Sequence, residues 1–386
     1  MTTLESPEPT LGVVGGGQLG RMLAEAAGPL GVDVIVLDPT PDCPASAVCR
    51  DQLVGGFDDE DGIRELAERA DVLTFEIELA DQDLLDRVSE DAGVPVHPRP
   101  ETLELIHDKL HQKRALRDAG IPVPEFRAVD DADDVREAIE AYGAPVMLKA
   151  RTGGYDGRGN VPVESPDEAE EALEAVAGPA MVESFVDFER EISVIAVKGD
   201  GEVATFPVGE NVHEEEILRE TVVPARSDDE VLERARTVAT DVLELMAGRG
   251  VYGIELFETT DGEILVNEIA PRPHNSGHWT IEGAVTSQFD AHVRAVLGWP
   301  LGSTELRSPT VTANLLGDVD EPRQARLSNV DRVLETPRAS LHWYGKREAR
   351  PLRKMGHITV IAREGETRAE LLETARELRD AVTFKE

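Results

Sequence analysis

The order of apolar runs predicts a chain of mixed α/β and α+β class: a doubly wound N-terminal unit, an α+β body and a smaller C-terminal unit. Three observations carry this. Short apolar strands alternate with helical stretches from Leu11 to about His97. The run PVHPRP, Pro95 to Pro100, then breaks the alternation. Beyond it lie antiparallel-looking strand segments mixed with helices. At 386 residues the chain exceeds one ordinary core, so units are expected over 1–98, 99–300 and 301–386.

In the first unit LGVV, DVIVL and DVLTF read as strands, with helices from about Gln18 and from about Gly62 to Arg69 between them. A helical block follows from Glu101 to Ala119. In the body, MVESFV, EISVIAVKG and GEVATFPVG read as strands, and Asp167 to Val176 and Asp229 to Ala247 as helices. Past 301, Thr310 to Leu316 and His357 to Ile361 read as strands and Glu366 to Ala381 as an amphipathic helix.

Composition narrows the function. The net charge of −38, from 77 acids against 39 bases spread along the chain, argues against nucleic acid or an anionic membrane as partner. Only seven of the bases are lysine and 32 are arginine, the balance expected of a surface kept soluble at high salt. Lys109, Lys149, Lys346 and Lys354 all fall in segments that read as functional on other grounds. Cys43 and Cys49 form neither a disulfide framework nor a metal knuckle, and no apolar run reaches membrane-spanning length, so a cytoplasmic protein is expected.

Lys149 to Asn160, KARTGGYDGRGN, follows the apolar run Pro145 to Leu148. A strand that delivers one lysine into such a loop suits a nucleotide's phosphates: Gly153, Gly154, Gly157 and Gly159 admit close backbone N–H approach. GGGQLG, with Gly15, Gly17 and Gly20, follows a strand and opens a helix, and Asp38 ends the next strand. Alone this predicts a dinucleotide site, although the physics requires only some anion at a helix N-terminus.

Val251 to Arg272 reads as a hairpin turning at Asp261-Gly262. A two-residue turn there pairs Thr260 with Glu263, Phe257 with Val266, and Glu255 with Glu268. Two opposed carboxylates on one face destabilise a strand pair unless a cation lies between them, and Mg²⁺ is the natural candidate. In the loop that follows, APRPHNSGHW, Arg272 offers a planar fork for an oxyanion, and His274 and His278 can donate hydrogen bonds or move protons. Near the C-terminus Lys346, Arg347, Arg350, Arg353 and Lys354 surround the single acid Glu348, a local reversal of sign that suits a phosphate-bearing substrate.

Taken in order, HDKLHQK, ARTGGYDGRGN, VESFVDFERE, NEIAPRPHNSGHWT and LHWYGKREARPLRKMGH resemble the N5-carboxyaminoimidazole ribonucleotide synthases, ATP-grasp enzymes of purine biosynthesis. The resemblance implies an ATP-grasp fold with a Rossmann-like pre-ATP-grasp domain in front and a small C-terminal domain behind. It implies that Lys109 and Lys149 contact ATP phosphates under a loop of Gly154, Tyr155, Asp156, Gly157, Arg158, Gly159 and Asn160. Glu183, Ser184, Phe185 and Val186 would line the adenine pocket, with Glu191 on the ribose, His213 and Asn267 beside the nucleotide, and Glu255 and Glu268 on Mg²⁺. Arg272 and His274 would hold bicarbonate, with Asn275 and Ser276 beside them. The ribonucleotide would meet Gly17, Gln18, Leu19, Lys346, Arg353 and Lys354, with Tyr155 and Asp156 at its aminoimidazole and Glu76 and Glu78 on its ribose. A homodimer is implied as well. The expected reaction is ATP- and bicarbonate-dependent carboxylation of 5-aminoimidazole ribonucleotide through carboxyphosphate; a dinucleotide oxidoreductase, a silent nucleotide-binding regulator and a formate-using transformylase are the alternatives.

Overall fold

A computed structural model describes residues 9–153 and 159–384. The first unit holds β1 (Thr10–Val14), α1 (Gln18–Ala27), β2 (Asp33–Leu37), β3 (Asp51–Leu53), α2 (Glu60–Glu68), β4 (Val72–Phe75) and α3 (Gln82–Ala92). Its parallel sheet runs β3-β2-β1-β4. The order reverses between β1 and β4, the place where open α/β sheets bind ligands. Asp59 and Asp81 start α2 and α3 by accepting from the N–H groups of Gly62 and Leu84. The expected block 101–119 is two helices, α4 (Pro100–His107) and α5 (Lys109–Asp118). Asp108 divides them because its carboxylate caps α5, accepting from the N–H groups of Leu110 and His111.

The body opens with β5 (Phe126–Val129), α6 (Ala132–Tyr142), β6 (Val146–Ala150), β7 (Asn160–Val163), α7 (Ala169–Val176) and β8 (Ala180–Ser184). The strands form an antiparallel sheet in the order β5-β8-β6-β7, and α6 and α7 cover one face of it with Val135, Ala138, Ile139 and Ala172. Next come β9 (Phe188–Lys198), β10 (Val203–Thr205), β11 (Gly209–Glu214), β12 (Ile217–Val223), α8 (Asp229–Leu245), β13 (Gly250–Thr259), β14 (Ile264–Ala270) and α9 (Gln288–Val296). The last part holds β15 (Thr310–Leu316), β16 (Ala339–Trp343), β17 (Lys354–Ile361) and α10 (Arg368–Ala381).

These strands build one nine-stranded sheet, β14-β13-β9-β11-β12-β15-β17-β16, with β10 on β9. The boundary expected near 300 falls between α9 and β15, yet the strands on its two sides are neighbours: β12 pairs with β15 from Glu220↔Ala313 to Val223↔Thr310. The apolar stripe of α8, Val231, Ala235, Val238, Ala239 and Val242, packs on Ile254, Leu256, Ile264, Val266 and Ile269. Each such buried Val or Ile is worth roughly 1.5–3 kcal/mol, so α8 decides which face of the β13–β14 hairpin is core.

The hairpin departs from the expected turn. Its loop has three residues, Thr260 to Gly262: the Thr259 N–H donates to Glu263 O at 3.0 Å, the Gly262 N–H to Thr259 O at 2.9 Å, and Gly262 sits at φ +78°. The extra loop residue shifts the ladder, so Phe257 pairs with Leu265, and Val266 pairs with Leu256 rather than with Phe257. A bulge between Glu255 and Leu256, with Asn267 the unpaired residue of β14, then shifts it back. Glu255 does face Glu268, but only because two departures cancel. Unbroken, the ladder from this loop would set Asn267 opposite Glu255 and turn Glu268 toward the core face of Ile254 and Val266.

Candidate functional site

The bulged edge of the large sheet faces the small sheet and α5, and polar side chains converge between them. Lys149, near the end of β6, lies 2.8 Å from Glu183 Oε2 and donates to Asn267 Oδ1 at 3.3 Å. Lys109, the first residue of α5, donates to Glu268 Oε1 at 3.1 Å. The bulge lets consecutive residues, Asn267 and Glu268, reach the same cleft. Gly159 and Asn160 re-enter at the start of β7, where Asn160 pairs with Lys149. Ser184 ends β8, Phe185 is exposed and Val186 is half-buried beside it. On the floor of the large sheet Glu191 meets His213, Nδ1 to Oε2, at 3.1 Å.

The acid pair is asymmetric. Burial pushes Glu255 up to about 7, with Glu268 and Glu191 adding repulsion, whereas Lys109 holds Glu268 at about 2. Burial also disfavours a charged His213, but Glu191 more than offsets this and keeps its pKa above the ordinary value. Among the described residues no group of three or more His, Cys, Asp or Glu side chains is arranged to hold a metal. Two carboxylates, with phosphate oxygens and waters for the other positions, are a donor set that Mg²⁺ accepts, so the residues fit that ion.

Next to the pair lies the Arg272 guanidinium. Arg272 is fixed at two corners, Nη2 by Glu78 Oε1 at 2.8 Å and Nη1 by Pro273 O at 3.2 Å, while its Nε is buried with no acceptor. His274 Nδ1 lies 2.9 Å from Ser276 Oγ and 3.9 Å from Glu255 Oε1. Its ring rests on Gly253, where an added Cβ would collide with it. Asn275 and Ser276, expected at the substrate, turn inward: Asn275 exchanges hydrogen bonds with Asn314 at 2.7 and 3.1 Å, and Ser276 steadies His274. His278 is no cleft residue either, being fully buried against His357 at 4.8 Å between ring centres.

The glycine turn differs most from expectation. Gly17 and Gly20 donate their N–H groups to the Glu76 carboxylate, Gly20 at 2.9 Å, and Gly16 donates to Asp38 Oδ2 at 2.9 Å. Glu76 therefore caps α1, because its burial at the β1–β4 switch leaves these N–H groups as its partners. The donors a dinucleotide's pyrophosphate would use are taken. Gln18 and Leu19 begin α1 just beyond.

The basic C-terminal cluster divides. Arg347 reaches Asp42 at 2.9 Å on the surface and Arg350 pairs with Glu348. Arg353 donates to Glu348 O at 2.9 Å and Lys346 to Lys354 O at 2.7 Å, while Lys354 lies near enough to Glu255 and His213 for its charge to oppose, without reversing, the rise in both pKa values. The expectations for Gly154, Tyr155, Asp156, Gly157 and Arg158 fall outside the described residues. Two contributors were missed in the sequence. Glu78 reads from sequence only as a ribose contact, and Lys113, one helical turn beyond Lys109, lies in no distinctive pattern although it is among the seven lysines.

Comparison with known proteins covers nearly the whole chain. Family models match at residues 9–107 (ribonucleotide synthetase preATP-grasp domain), 114–289 (ATP-grasp domain) and 310–371 (phosphoribosylaminoimidazole carboxylase C-terminal domain). The N5-carboxyaminoimidazole ribonucleotide synthase of Brucella melitensis is 44% identical over 359 residues, 92% of this chain and 97% of that protein. The Bacillus subtilis synthase is 39% identical over 357 residues, 92% of each. The crystal structure of the Thermotoga maritima synthetase superposes with a TM-score of 0.88 at 41% identity, covering 97% of this chain and 99% of that one. The Aspergillus clavatus synthase, in complex with ADP and 5-aminoimidazole ribonucleotide, gives 0.88 at 38% identity, covering 97% and 98%.

Proposed function

The chain belongs to the N5-carboxyaminoimidazole ribonucleotide synthase family of ATP-grasp ligases, and from that premise we propose how its cleft carries out the ATP-dependent carboxylation of 5-aminoimidazole ribonucleotide in purine biosynthesis. The observation that supports the reading most is the acid pair of the bulged hairpin, set between the two lysines that face it and the Arg272 fork.

ATP lies with its adenine along the backbone of Glu183 to Val186, its ribose near Glu191 and His213, and its phosphates on Lys109 and Lys149. Glu255 and Glu268 would hold Mg²⁺, which when bound neutralises charge on the terminal phosphates. Bicarbonate sits on Arg272, whose unpaired Nε and charge suit an oxyanion, with His274 beside it. One of its oxygens attacks the γ-phosphorus in line; the new O–P bond forms as the bond to the β-phosphate oxygen breaks, giving carboxyphosphate and ADP. The exocyclic amine of the ribonucleotide then attacks the carboxyl carbon, or the CO₂ released from it. Phosphate departs and takes up the amine's proton, leaving the N5-carbamate. Lys346, Arg353 and Lys354 hold the ribonucleotide's phosphate end, and Gln18 and Leu19 flank it. Water would destroy carboxyphosphate, so the cleft must exclude it before that intermediate forms.

The protein works as a cytoplasmic homodimer adapted to high salt, a reading supported by family resemblance and by its acid-rich, lysine-poor composition. ADP release with and without bicarbonate and 5-aminoimidazole ribonucleotide, at molar KCl, is the test. Release that needs both is expected; turnover that ignores bicarbonate, or accepts formate in its place, rejects the proposal. Sedimentation at the same salt checks the dimer.

A further inference from the structure

Lys113 has no place in the mechanism above, yet it is buried in a protein that keeps very few lysines. Its side chain is 2% exposed, beside Glu183 at 3% and Lys149 at 11%. Lys113 Nζ lies 3.1 Å from Glu183 Oε1 and donates to the Val266 carbonyl at 2.8 Å, one residue before the bulge. The other oxygen, Glu183 Oε2, is 2.8 Å from Lys149 Nζ. Two buried ammonium groups thus share one carboxylate. The same helix serves both acids, since Lys109 meets Glu268 one turn earlier.

We propose that Lys113 is a positioning residue for nucleotide binding: by engaging Glu183 from the far side it leaves the charge of Lys149 uncancelled for ATP's phosphates, and by holding Val266 it keeps the Asn267 bulge against Lys149. The proposal rests on the reading of this cleft as an ATP site. Glu183 is needed to bring Lys149 into a buried position, because an unpaired ammonium is costly there. A one-to-one pair, however, presents no net charge to an incoming anion. The second lysine restores one positive charge, and an arriving phosphate completes the balance. Lys113 cannot serve the phosphate directly, because Glu183 and Val266 occupy it.

The test is calorimetric titration with MgADP and steady-state kinetics on three full-length variants, Lys113→Gln, Lys113→Arg and Lys113→Gln/Glu183→Gln. Lys113→Gln keeps a donor for Val266 but not the charge, and is expected to weaken MgADP and raise KM for ATP by about tenfold, leaving KM for bicarbonate and the ribonucleotide within about twofold. Lys113→Arg should stay within about threefold of wild type. In the double variant Lys149 regains an uncancelled charge but loses the carboxylate that seats it, so affinity should recover at least about threefold from that of Lys113→Gln without reaching wild type. A double variant as weak as Lys113→Gln, or equal affinities for the Gln and Arg variants, overturns the proposal. If Lys113→Gln does not fold, the double variant against Lys113→Arg decides: loss of MgADP binding in a folded double variant rejects it, as does failure of the double variant to fold. Wild-type protein that binds no MgADP would sink the ATP reading itself, an outcome distinct from intact binding that is indifferent to position 113.

Discussion

At Gly253 a methyl group would run into the His274 side chain, and the strand backbone there has no freedom to retreat because it is paired on both sides. Gly253→Ala should therefore displace the imidazole that lies 3.9 Å from Glu255 and beside the expected bicarbonate position. A fall in bicarbonate-dependent turnover of at least about tenfold is expected, with about 1–3 kcal/mol of overpacking seen as a lower melting temperature. Activity at the wild-type level would show that His274 has no part in the reaction. Glu268→Ala removes one of two carboxylates and frees Lys109, so ATP turnover should be abolished; retained ribonucleotide-dependent ADP release in that variant would remove the metal assignment. The residues that sequence alone brought forward, Lys109, Lys149, Glu268 and Arg272, are rare or strongly charged types inside distinctive local patterns. Glu78 touches Arg272 across 194 positions of chain, and no local pattern records such a contact.

Among the elements, the β13–β14 hairpin shows most clearly what a sequence conceals. Asp-Gly marks a turn in either case, but loop length and bulge are set by how α8 claims Ile264, Val266 and Ile269 for the core. The spacing of those three apolar residues, two and then three, was the available clue. The doubly wound start was legible because alternating strands and helices leave a strong periodic trace. The split of the helical block at Asp108 was not, since a cap acts through a single carboxylate. Two substitutions separate the roles within the hairpin. Gly262→Ala, at φ +78°, should cost about 1 kcal/mol in urea unfolding and leave KM for ATP unchanged. Asn267→Ala removes an acceptor of Lys149 and should raise KM for ATP by roughly tenfold, a loss of about 1.4 kcal/mol in binding, with little change in stability. The reverse pattern would refute this division.

For the whole molecule, pH and salt act on groups that join its parts. His292 accepts from the Val251 N–H and meets Thr74 of the first unit at 2.8 Å, and His97 accepts from the Arg249 N–H. Burial lowers His292 to about 3 and His97 to about 4, and lowers His278 and His357 well below the ordinary histidine value. With folded values depressed, the unfolded chain takes up protons first as pH drops through about 6.5, so stability is lost from there down toward 4, at up to about 1.4 kcal/mol per pH unit for each histidine. A melting temperature that stays level from pH 7 to 5 would contradict this. The charge of −38 acts through repulsion that about molar salt screens, so the melting temperature should climb as KCl rises from about 0.1 to 2 M. A fall would count against adaptation to brine.

The pairing of β12 with β15 has a practical side for anyone cutting the gene. Ending the polypeptide near residue 300 would unzip the large sheet at its middle and leave β12 as a bare template for other chains. It would also strand Glu220, which is wholly enclosed and held by Arg376 and Arg379 of α10. Such a fragment should precipitate instead of surviving as a smaller enzyme, so the final eighty-odd residues are a girder of the catalytic body and no detachable appendage.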